Sequence, residues 1–79
     1  MNIKRYFAQK RETKRKKRFV GKFLRPLIIN AGLYVCDVRY KKVGGLETVT
    51  VTYNSGSEVV ADVSSDSLIS LCRDTLKIL

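Results

Sequence analysis

The stretch that decides the fold is LYVCDVRYKKVGGLETVTVTY, residues 33–53. Both of its halves alternate between two sets of side chains, and a period of two is that of a half-buried β-strand. Between Leu33 and Lys41, Cys36 and Val38 share the side read as core, while Val35, Asp37, Arg39 and Lys41 share the other. Between Leu46 and Tyr53, Glu47, Val49, Val51 and Tyr53 stand against Leu46, Thr48, Thr50 and Thr52. Gly44-Gly45 supplies residues that enter positive φ without steric penalty, so the stretch predicts a β-hairpin.

Toward the C-terminus, Asn54-Ser55-Gly56-Ser57 reads as a second turn, and Glu58 to Val63 as a third strand with Val59, Ala61 and Val63 on its core side. Ser65 or Asp66 is then placed to cap a final helix running to the end of the chain. Leu68, Leu71, Cys72, Leu76 and Leu79 follow helical spacing and should cover one sheet face. The expected fold is α+β: a three-stranded antiparallel meander, strands at about 33–42, 46–53 and 58–63, packed by a helix at about 66–79. Ile69 and Ile78 widen the apolar arc of that helix beyond what one small sheet needs. Ile69, Ile78 and Leu79 are therefore candidate interface residues of a homo-oligomer.

Toward the N-terminus, Phe19, Val20, Phe23 and Leu24 fall on one helical face with Arg18, Lys22 and Arg25 opposite, which predicts a short amphipathic helix at about 16–24. Pro26 should end it, since the residue before a proline avoids the α region. Residues 27–31 fit either a strand or a helical turn that opens on Pro26 and stops at Gly32.

Charge divides the chain. Residues 1–25 hold eleven of the sixteen bases against the single acid Glu12, whereas residues 26–79 hold five bases and six acids. The expected organisation is a flexible basic arm over residues 1–18 and a small domain over 19–79. The arm's bases, Lys4, Arg5, Lys10, Arg11, Lys14, Arg15, Lys16, Lys17, Arg18, Lys22 and Arg25, are the candidate nucleic-acid-binding residues. If helical, Lys4, Arg11, Arg15, Arg18, Lys22 and Arg25 form a stripe able to follow a phosphate backbone. Each phosphate neutralised frees condensed cations, a gain that needs no particular base sequence. Tyr6, Phe7 and Phe19 could stack on unpaired bases, although Phe19 fits a helix face better.

Other chemistries find little support. The chain has no His, so imidazole acid–base catalysis and the common imidazole metal sites are absent. No base accompanies Ser64, Ser65, Ser67 or Ser70, and the glycines at 44 and 45 lack Walker-loop spacing. No catalytic residue, cofactor, metal or small-molecule substrate is expected. Cys36 and Cys72 match no Cys-x-x-Cys spacing and read as two reduced core cysteines of a cytoplasmic protein. The apolar run near Phe23 to Ile29 is too short and too interrupted to span a membrane.

In outline, the order helix, three strands, helix is similar to double-stranded-RNA-binding domains, and a basic tail before a three-stranded sheet and helix resembles the arm-binding domains of tyrosine integrases. No residue carries either likeness. The RNA domains place a Lys-Lys-x-x-Lys run where this chain has Ser65-Asp66-Ser67-Leu68-Ile69, and the integrase sheets present more basic and aromatic groups.

The expected function is that of a small non-enzymatic protein, encoded by a virus or mobile element, that grips nucleic-acid phosphates with weak sequence preference. The alternatives are a structural or interaction protein, such as a minor virion or scaffold component, and a basic amphipathic segment lying on a membrane surface.

Overall fold

A computed structural model describes residues 3–79, with side chains from Arg11 onward. Its elements are helix α1 (Ile3–Phe19), a π-helical turn (Val20–Leu24), helix α2 (Arg25–Asn30), strands β1 (Val35–Val43), β2 (Leu46–Tyr53) and β3 (Glu58–Asp62), and helix α3 (Leu68–Lys77). The strands form one antiparallel sheet in the order β1-β2-β3, so the α+β meander with its C-terminal helix is the architecture of the chain.

One face of the sheet holds the core. Val38 and Tyr40 of β1, Val49 and Val51 of β2, and Ala61 with the following Val63 are buried together with Val20, Leu24 and Ile28 from the N-terminal helical run and Leu71 from α3. Burying a side chain of this kind contributes roughly 1.5–3 kcal/mol relative to leaving it in water. The two helical layers divide the sheet, the N-terminal run packing mainly on β1 and α3 on β3. Phe19, Ile29, Cys72, Ile78 and Leu79 pack at the margin of this core.

The N-terminal helix differs most from expectation. Instead of a short helix at 16–24 ended by Pro26, helical backbone runs from Ile3 to Asn30 and passes through the proline. A proline inside an α-helix removes one N–H and drives its ring against the carbonyl of residue i−4. Here the turn before it widens: the Arg25 amide bonds to the Val20 carbonyl, five residues back, and Pro26 falls in the first turn of α2, where missing donors cost least. Residues 27–30 are thus helical, and Gly32, at φ 76°, turns the chain toward the sheet. The segment read as a flexible arm is helical from Ile3 onward, with no break at residue 18. Like charges oppose a helix by only about 0.2–0.5 kcal/mol per pair, and each further residue of a packed helix needs no new nucleus.

Smaller corrections concern the strands and α3. Strand β1 starts at Val35, because Tyr34 sits at φ 59° and cannot extend it. A register shift between Val35 and Asp37 leaves Cys36 opposite no residue, so Val35 points into the core and Cys36 is exposed, the reverse of the expected parity. The cap of α3 is Ser67, whose side chain accepts from the Ser70 amide, and neither Ser65 nor Asp66. Ser65 is excluded by its left-handed φ of 62°, since a capping residue needs extended backbone. Of the three candidate interface residues, Ile78 and Leu79 pack against the core, whereas Ile69 is 83 % exposed.

Candidate nucleic-acid interface

Helical spacing sorts the basic residues into three environments. Lys16, Val20, Leu24 and Ile28 recur every four residues and all four are buried, so a lysine occupies the first place of the stripe that packs on the sheet. Lys16 Nζ lies 2.9 Å from Glu47 Oε1 and 3.2 Å from Oε2. The Tyr40 hydroxyl donates to Oε1 at 2.6 Å, and the Ser65 amide donates to Oε2 at 2.7 Å. A buried carboxylate is tolerable only when its lone pairs are met by donors in this way. Burial pushes the Glu47 carboxyl up, but Tyr40, Lys16 and the Ser65 amide together outweigh it and hold the group below its ordinary value. Burial, and then the bond and negative charge of Glu47, raise the Tyr40 phenol far above its own. Lys16 therefore serves the fold and does not face an outside anion.

On the opposite side of the helix, Arg11, Lys14, Arg15, Arg18 and Lys22 recur at the three- and four-residue spacings that bring side chains onto one face. All five are exposed, and among the described residues none makes an ion pair. At 1.5 Å per residue the ridge runs for roughly 16 Å along the helix axis. Lys4, Arg5 and Lys10 belong to the same candidate set, but their side chains lie outside the described residues.

The third group gathers at the open edge of β1. Arg25 Nε meets Asp37 Oδ1 at 2.9 Å, and Arg39 Nε meets Asp37 Oδ2 at 3.1 Å. Lys17 and Gly21 border the same cleft, whose volume is about 420 Å³. Sequence reasoning placed Arg39 and Asp37 side by side on the outward face of the sheet. The partnership with Arg25 was not visible, because it depends on how the widened helical turn lies across β1. Lys42, from the same strand, donates to the Thr13 hydroxyl at 3.3 Å and ties the end of β1 to α1.

The rest of the surface is less basic. Thr48, Thr50 and Thr52 of β2 are half-buried on the outward sheet face, with Val60 exposed beside them. Among the candidate stacking aromatics, Phe19 packs at the core margin and holds Phe23 at a ring separation of 5.8 Å, while Phe23 itself is exposed. Tyr6 and Phe7 lie outside the described side chains. The serines near α3 serve its geometry: Ser64 Oγ accepts from the Glu47 amide, and Ser67 caps the helix.

Comparison with protein families, with curated proteins and with solved structures finds no match for this chain. Among the described residues, no helix is long and apolar enough to cross a membrane.

Proposed function

We propose that this is a small, non-enzymatic nucleic-acid-binding protein that contacts phosphates through the exposed face of α1 and the turn that follows, of the compact kind carried by viruses and mobile elements and acting in the cytoplasm. The observation that supports this reading is the ridge of Arg11, Lys14, Arg15, Arg18 and Lys22, five exposed cations on one helix face with no acidic partner among the described residues. A helix presents such charges at a fixed pitch, and the sheet beneath keeps them pointed away from the domain. Contacts of this type hold a phosphate backbone and carry no base information, so sequence preference is weak.

The test is a titration of labelled duplex DNA, single-stranded DNA, duplex RNA and anionic vesicles over a range of salt. Five ridge contacts to duplex DNA correspond to a slope of log K against log salt of roughly −4.5, and the triple variant R11Q/R15Q/R18Q should reduce it by about 2.7. Equal affinity for vesicles and nucleic acid would sink the reading. Ile69, 83 % exposed on α3, favours a second reading in which the sheet and α3 dock on protein, a further copy of the chain included. Molecular mass in solution at two concentrations tests self-association.

A further inference from the structure

We propose that the cleft between the widened helical turn and the open edge of β1 is a dedicated binding site for one backbone phosphate, formed by Arg25, Arg39 and Lys17 and held in shape by Asp37. The proposal rests on the nucleic-acid reading above and adds to it a site separate from the α1 ridge.

The geometry is that of two guanidinium groups anchored on one carboxylate. Asp37 accepts a hydrogen bond from Arg25 Nε on one oxygen at 2.9 Å, and Arg39 Nε forms an ion pair with the other at 3.1 Å. Its Oδ1 also accepts from the Val38 amide at 3.0 Å, which fixes the carboxylate to the strand. A guanidinium carries five N–H donors in a rigid fork, so an Nε contact leaves up to four for a second anion. Two forks fixed in this way present planar, paired donors, the arrangement that suits phosphate better than a single flexible cation does. With Lys17, the cleft holds three cations against one carboxylate. Arg25 and Arg39 remain 49 % and 65 % exposed, so both can reach a ligand.

Two features of the fold build the site. Regular alternation along β1 places Asp37 and Arg39 on one side of the strand, where Arg25 at the end of the π turn reaches Asp37. Gly21 of the π turn lines the cleft beside Lys17 and Arg25. Because β1 is an edge strand, no further strand lies outside the cleft.

Asp37 acts as a positioning residue, and its role is separable from its charge. Removing its negative charge should tighten anion binding if simple attraction governs the cleft, and weaken it if the carboxylate orients the two forks. The experiment follows the Nε–Hε resonances of the arginines in the full-length protein, titrated with inorganic phosphate and with chloride at matched ionic strength. The Arg25 and Arg39 signals should shift saturably with phosphate and not with chloride. Arg39→Gln should weaken phosphate and duplex DNA by about five-fold each. Asp37→Asn should weaken phosphate despite its more positive charge. Arg39→Lys should behave as Arg39→Gln, since it keeps the charge and loses the fork.

Equal shifts with chloride, or tighter phosphate binding by Asp37→Asn, would overturn the site. If DNA binds and Arg39→Gln changes neither affinity, the site fails while the ridge reading stands. Saturable phosphate binding without DNA binding would uphold the anion site and remove its assignment to nucleic acid.

Discussion

Lys16 Nζ and Glu47 Oε1 lie 2.9 Å apart across 31 positions of sequence, both side chains less than a tenth exposed. The pair joins the basic helix to the start of β2, where the Glu47 amide and carbonyl are also engaged by Ser64 and Val63. Removing one partner leaves a buried charge without its counterpart, so Lys16→Met and Glu47→Gln should each cost about 3 kcal/mol in urea unfolding. The double variant Lys16→Met/Glu47→Gln should be less damaged than the sum of the two single changes. Losses below about 1 kcal/mol in both single variants would show that the pair does not hold the helix down. A chain truncated before Phe19 loses Lys16 as well and should unfold more readily, so charge is better removed from the ridge by point substitution.

Acid should weaken the same junction. Since the Glu47 carboxyl is held below its ordinary value in the folded chain, its contribution is fully present above the unfolded value of about 4.3 and lost as pH falls through the folded one. Asp66 has the opposite sign: burial, and then the neighbouring Asp74, raise it, so the stability lost to its ionisation grows as pH climbs from the unfolded value of about 3.9 and is complete above the folded one. Asp66→Asn should accordingly raise the thermal midpoint at neutral pH and leave it unchanged in strong acid. Melting curves across that range decide both points. A stabilisation that persists in acid would contradict the assigned direction.

The two cysteines should differ in the native state. Cys36 is exposed, whereas Cys72 is half-buried against the core and burial pushes its thiol up. The thiolate is the reacting form, so a thiol reagent should modify Cys36 first and Cys72 slowly, with the rates converging in denaturant. Cys36→Ser should change stability by less than about 0.5 kcal/mol. A larger loss would place Cys36 in the core and remove the register shift.

Loss of the α3 cap offers a local check. Ser67→Ala should cost about 1 kcal/mol, whereas Ser65→Ala, at a residue whose amide but not side chain holds Glu47, should cost less. Equal losses in equilibrium unfolding would contradict the cap at Ser67.

The strands were legible because alternation is a local signal repeated several times in β2 and β3. Even Glu47 fell on the core side by parity, although nothing nearby announced its partner. Lys16 stood in plain view at four-residue spacing from Val20, Leu24 and Ile28, but in a run rich in bases one lysine is not distinguishable by type from its neighbours. Cys36 was misplaced because one unpaired residue reverses the parity of everything before it, and the sequence around it contains no glycine to mark the irregularity. Pro26 misled for a related reason. The rule that a proline ends a helix assumes that the preceding turn is an ordinary one.

That widened turn also sets a phase. Side chains spaced every four residues drift around an ordinary helix by about 40° per step, so Lys16, Val20, Leu24 and Ile28 would wind off a flat sheet by roughly 120° in all. A turn closed by five-residue bonds takes up more chain per revolution and cancels part of that drift, which keeps a lysine at one end and an isoleucine at the other over the same surface. Closing the same stretch with four-residue bonds while keeping all its residues would rotate everything before it by up to about 100°, turning Lys16 off Glu47 and swinging the cationic ridge round the axis toward the domain. The direction in which this protein points its charge is thus fixed by how one turn closes.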